Sequence, residues 1–148
     1  METANDLKDF VREWIDKSHF DMAMVEKHWS SQKGVLGIFT APQEWLEGHQ
    51  VILDHYRQAL PSRDDYRVEV DHLDAYSEGS VGWVAAQPVF ILGKGGKVTT
   101  RFTAVLHRED GEWKFVQYHL SVAVPDEEFF RMAQPEKIGG SMEAQKIP

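Results

Sequence analysis

From Tyr66 to Val124 the chain is four apolar-rich runs cut by three turn signals, Glu78-Gly79, Lys94-Gly95-Gly96 and Asp110-Gly111. Asp-Gly between such runs is a strong hairpin signal, because its turn positions need φ > 0 and glycine adopts that without steric cost. The spacing predicts strands at roughly Val81 to Leu92, Val98 to Arg108 and Trp113 to Val124, preceded by one in which Tyr66, Val68, Val70, His72, Asp74 and Tyr76 alternate with Arg67, Glu69 and Asp71. Four strands joined by short turns make an antiparallel meander. Gly82 and Pro88 inside the second run predict a bulge or a locally unpaired edge there.

The last run is apolar on both sides. Trp113, Phe115, Gln117, His119 and Ser121 share one face, and Lys114, Val116, Tyr118 and Leu120 the other. One face must bury under other elements and the other requires a partner, so a homodimer through the sheet is expected. Either Tyr118 or His119 then faces the interior, barring a bulge.

The N-terminal half has a different period. Leu7, Phe10, Val11, Trp14 and Ile15 form one helical stripe. Thr3 with Asp6 and Ser18 with Asp21 resemble two capping boxes, predicting a helix that restarts near Lys17 to His19 and carries Met22, Val25 and Trp29 inward. Val35 to Thr40 reads as a short strand and Gln43 to Gly48 as a loop or single turn. A further helix runs from His49 to Leu60 and stops at Pro61. Pro125 to Glu128 begins a short helix carrying Phe129, Phe130 and Met132, so the expected organisation is one domain over residues 1–133 and a flexible tail over 134–148. Helices followed by a long meander give an α+β fold, with helices laid across the concave face of a strongly curved, mainly antiparallel sheet. Such a roof encloses a cavity.

Charge and composition restrict what that cavity serves. The net charge of -8 disfavours nucleic acid and anionic membrane surfaces as partners. The chain has no cysteine, no signal-peptide pattern and no membrane-length apolar run, and a cytoplasmic protein is expected. Its seven histidines form no His-x-His and no i, i+4 pair on one helix, so no metal is expected. Phosphate loop, dinucleotide fingerprint and nucleophile elbow are also missing, and no cofactor is expected.

Four segments in order carry a resemblance: Ile38 to Gly48, Val81 to Ala86, Arg101 to Leu106 and Gly111 to Ser121. Together they resemble the SnoaL-like branch of the nuclear transport factor 2-like superfamily, over about residues 7 to 128. The resemblance implies a cone-shaped α+β barrel, commonly dimeric through its sheet. Its relatives include ketosteroid isomerase, polyketide cyclases, dehydratases, epoxide hydrolases and non-catalytic association domains. Fold alone does not choose among these. Phe39 departs from the pattern, since a small residue, usually glycine, is expected there.

Candidate site residues follow from residue chemistry on that framework. His119 is a candidate general base at the cavity wall, set against packing beside Ser121, because no carboxylate at i±2 orients it. Asp74 shares a face with Val70, His72 and Tyr76 and is the carboxylate best placed for acid-base work. Arg101 suits an anionic or carbonyl-bearing ligand, set against an ion pair at the sheet margin. The expected pocket wall combines Trp14, Trp29, Tyr56, Trp83, Gln87, Arg101 and Tyr118. The reading is a small, mostly apolar ligand in the cone, acted on by an isomerase, cyclase or hydrolase; the alternative is an association or accessory module working through its sheet surface.

Overall fold

A computed structural model describes residues 1–18, 21–59 and 66–134. Its elements are β1 (Glu2–Thr3), α1 (Asn5–Lys17), α2 (Met22–His28), β2 (Leu36–Ile38), β3 (Trp45–Glu47), α3 (His49–Ala59), β4 (Tyr66–Glu78), β5 (Val81–Leu92), β6 (Lys97–Glu109), β7 (Glu112–Val122) and α4 (Asp126–Met132). The fold is α+β, with a seven-stranded sheet of order β1-β4-β5-β6-β7-β2-β3. Every neighbouring pair is antiparallel except β2 with β7. The sheet curls around the helices but does not close, since β1 and β3 remain its edges.

The expected meander is present, β4 through β7, with its turns at the three glycine signals. At the tightest of them Asp110 has φ 52° and Gly111 φ 83°, both in the left-handed region that the Asp-Gly pair supplies. The core lies between sheet and helices: Leu7, Val11 and Trp14 of α1, Val25 of α2, and Ile52 and Tyr56 of α3 bury against Phe102, Leu106, Phe115 and Tyr118. This is the apolar stripe of each helix meeting the inward half of each strand.

Local details correct several expectations. Ala4 precedes α1 without a side-chain cap, so the Thr3–Asp6 box does not form. Asp6 instead reaches across to Trp113 and Arg108. Asp21 caps α2 itself, accepting a hydrogen bond from the Met24 N–H at 3.0 Å, while Ser18 ends α1. The restart between the two helices is as expected. Trp45–Glu47 is a strand rather than a loop, because a turn over Ala41–Glu44 folds it back on β2, with the Phe39 N–H donating to the Glu44 carbonyl at 3.0 Å. Leu60, Pro61 and residues 135–148, on which the helix stop and most of the expected tail fall, lie outside the described residues.

Two bulges decide which side chains face inward. Val70 pairs with Pro88 and Leu73 with Ala86, so Asp71 and His72 stand opposite the single residue Gln87. The bulge therefore lies on β4, opposite Gln87, while the β5–β6 ladder is interrupted at Gln87 and Pro88, between the Ala86–Phe102 and Val89–Thr99 pairs, the locally unpaired stretch expected there. Pro88 has no N–H to give, and the buried Thr100 hydroxyl donates to its carbonyl at 2.8 Å. On β7, Val105 pairs with Gln117 and Leu106 with Phe115, which makes Val116 the extra residue. Each bulge shifts the alternation by one and turns the following residues to the opposite face.

Candidate functional site

The curl of the sheet leaves two adjoining chambers on its helix-covered side. The inner one, about 80 Å³, is walled by Tyr56, Tyr66, Pro88, Phe102 and Tyr118, with Ser18 at its margin. The outer one, about 340 Å³, opens beside Thr40, Glu44, His55, Val98 and Val122. Phe39, Tyr66, Phe90 and Leu120 line both, so the two chambers adjoin across shared walls. The walls are mainly aromatic and aliphatic, with a few polar groups at the outer end, the usual make-up of a small-molecule site.

Each wall residue has a local reason to be there. Tyr118 and Leu120 face inward because the Val116 bulge resets the alternation of β7. Phe39 follows β2 and lays its ring against Tyr118, 5.1 Å between centroids at 29°, and against His55 at 4.6 Å. A large side chain thus occupies the place where a small one was expected, and it partitions the cavity. Helix α3 presents Tyr56 on its buried stripe and His55 on the flank of that stripe. Glu44 ends the β2–β3 turn, where its Oε2 accepts from the Ala41 N–H at 2.9 Å and its Oε1 lies 3.9 Å from His55 Nδ1. Both side chains are mostly buried, 18% exposed for His55 and 23% for Glu44.

The structure divides the sequence-predicted site residues into three groups. Tyr56 and Tyr118 line the chamber. Trp14 and Trp29, each 1% exposed, sit behind it in the packed core, 6.1 and 6.3 Å from the Tyr56 ring, and neither indole N–H has an acceptor. Trp83, Gln87 and Arg101 alternate onto the opposite face of the sheet and do not belong to the cone wall. His119 joins them there: it pairs in register with Thr103 and Ile38, half-buried, while its neighbour Tyr118 takes the inward direction.

Asp74 is also corrected. The β4 bulge turns Leu73 and Ala75 inward and leaves Asp74 exposed, 3.9 Å from Lys8 Nζ and 3.7 Å from His72 Nε2. Sequence reasoning missed Glu44 and His55 as a pair. The signal available was the position of His55 beside the Ile52–Tyr56 stripe, but Glu44 lay in a segment read as a loop, with no indication that it folds back over α3.

Among the described residues no three His, Asp or Glu side chains gather as a metal site, and no helix is long and apolar enough to cross a membrane. The family model of the SnoaL-like domain matches residues 7–125. None of the curated proteins matches the chain. Among solved structures, a nuclear transport factor 2-like protein of unknown function from Pseudomonas putida is similar at 12% identity and a TM-score of 0.68, covering 85% of this chain and 93% of that one. A protein of unknown function with a cystatin-like fold from Nostoc punctiforme is similar at 9% identity and a TM-score of 0.67, covering 83% and 96%. A nuclear transport factor 2 superfamily protein from Salmonella enterica is similar at 15% identity and a TM-score of 0.65, covering 82% and 91%. At such identities these likenesses describe the fold alone.

Proposed function

The chain belongs to the SnoaL-like domain family, and from that premise we propose that it binds a small, mostly apolar molecule in its cone, as a homodimer joined through the outer sheet face. The observation that carries the binding reading is the pair of adjoining chambers, about 80 and 340 Å³, that share Phe39, Tyr66, Phe90 and Leu120 as walls. A cone built only for packing would have its wall side chains meet, at native packing density. Isomerase, cyclase or hydrolase chemistry in this cone draws on the tyrosines and on the Glu44–His55 pair, and His119 and Arg101 on the far face take no part in it.

The test is direct. A neutral bicyclic alcohol such as 2-naphthylmethanol raises the melting temperature of the wild type in a saturable way, and Leu120→Trp, which fills the junction of the chambers, abolishes the shift. Absence of saturable binding up to about 1 mM, weaker than about 4 kcal/mol of binding free energy, rejects the cone as a ligand site. The alternative, an association or accessory module, draws its support from the outer face, where Tyr76, Val81, Trp83, Val105 and Val116 form a partly exposed apolar strip. It is the reading that remains if the cone binds nothing.

A further inference from the structure

We propose that the ligand of this cone is an organic amine: an apolar, aromatic-compatible body carrying a protonated nitrogen that seats on Glu44. The proposal rests on the reading of the cone as a ligand site and adds the charge of the ligand to it. Among the described residues lining either chamber, Glu44 is the only carboxylate, and no lysine or arginine lines either one. An anionic ligand would meet a like charge with no lysine or arginine among the described lining residues to offset it. The chain's net charge of -8 acts in the same direction at longer range, enriching cations near the mouth.

Glu44 is also held in position before any ligand arrives. It sits at the end of a turn closed by two hydrogen bonds, Glu44 N–H to the Ala41 carbonyl at 3.0 Å and Ala41 N–H to Glu44 Oε2 at 2.9 Å. Its carboxylate is 23% exposed, so an ammonium pairing there is only partly screened by water. Beside it, the aromatic side chains of Phe39, Tyr66 and Phe90 line the same chamber. The negative face of an aromatic quadrupole attracts a cation and accepts the adjoining apolar carbons equally well. A carboxylate bordered by aromatic side chains, with the His55 imidazole 3.9 Å away and no lysine or arginine lining the chamber among the described residues, is a site for a hydrophobic amine.

The experiment titrates three matched probes into the wild type at pH 8, above the range in which free imidazoles titrate: 2-naphthylmethylamine, 2-naphthylmethanol and 2-naphthoate. The amine is expected to bind about tenfold tighter than the alcohol, with the carboxylate weakest. Glu44→Gln, which keeps the shape and the acceptor for the Ala41 N–H, is expected to remove that preference and leave the alcohol's affinity within about twofold. Phe39→Leu is expected to weaken the amine more than the alcohol. Equal or tighter binding of the alcohol or the carboxylate, or an amine affinity unmoved by Glu44→Gln, overturns the amine proposal while leaving the cone as a binding site. Failure of all three probes to bind overturns both.

Discussion

Asp6 shows how one exposed carboxylate joins distant parts of the chain. It accepts from Trp113 Nε1 at 3.0 Å and from Arg108 Nη2 at 2.5 Å, tying the first turn of α1 to the β6–β7 hairpin. Partial burial alone would raise its carboxyl, but the Trp113, Arg108 and Leu7 N–H hydrogen bonds outweigh it and hold the group below the usual carboxylate value. A folded-state value below the unfolded one stabilises the fold above the unfolded pKa, about 3.9, and that stabilisation is lost as pH falls through the folded value. Asp6→Asn should therefore melt lower than wild type at pH 7, with the gap closing on acidification toward about pH 2. Thermal melts across that range check this, and a gap independent of pH would assign it to packing. Gly82 is the steric counterpart: a Cβ there would lie 2.6 Å from Leu7 Cδ2 and 3.2 Å from the Trp113 ring. Gly82→Ala should cost about 1–3 kcal/mol in denaturant unfolding, and Leu7→Ala in the same chain should give a strongly non-additive double mutant.

At the scale of the element, the bulge at Val116 decides the site. Without it, strict alternation would keep Trp113, Phe115, Gln117 and His119 on one side of β7; with it, Trp113 and Phe115 face inward together with Tyr118 and Leu120. Deleting Val116 removes the extra residue and leaves Phe115, Gln117, Tyr118, His119 and Leu120 in strict alternation, so Tyr118 and Leu120 should stay inward and the variant should still unfold cooperatively in a thermal melt. An inserted residue directly after Val116 would instead shift the alternation by one more and turn Tyr118 and Leu120 outward, so it should lower the melting temperature far more than the deletion does; the reverse order would show that the bulge is not what sets the inward face. The β4 bulge acts in the same way beside Pro88, converting an expected inward Asp74 into a surface residue paired with Lys8. The β7 bulge was hidden because a period-two pattern read from residue types has no marker for one inserted residue when both faces are largely apolar. On β4 the consecutive polar residues Asp71 and His72 mark the inserted residue, but an alternation carried through them to Tyr76 passes over it.

For the whole molecule, the open question at each face of the sheet is what covers it. The inner face is covered by α1, α2 and α3. The outer face carries Tyr76 stacked on Trp83 with Val81, Val105 and Val116 nearby, and Tyr76 and Val81 remain 38% and 41% exposed. The proposed dimer covers this strip. Light scattering at about 10 μM should give the dimer mass for wild type and the monomer mass for Trp83→Arg, because a charge placed in an apolar interface has no partner there. A wild-type monomer at that concentration would overturn the dimer and remove the support for an association module as well.

The sequence by itself determined the class of the fold: amphipathic helices at Leu7–Ile15 and Ile52–Tyr56, a meander punctuated by glycine turns, and a need to cover two apolar sheet faces. These are legible because they rest on local periodicity and on turn chemistry, which a neighbouring residue or two specify. Tyr56 was legible on the buried stripe of its helix for the same reason, whereas the sequence leaves the choice between Tyr118 and His119 open. Only the tertiary structure decided the rest of the site. The bulges moved His119 and Asp74 away from the cone, the regular alternation of β6 set Arg101 on the far face, and the Ala41–Glu44 turn brought Glu44 to His55 across the mouth. Register and long-range approach depend on which strand pairs with which residue, and that information belongs to the assembled sheet rather than to any one stretch of chain.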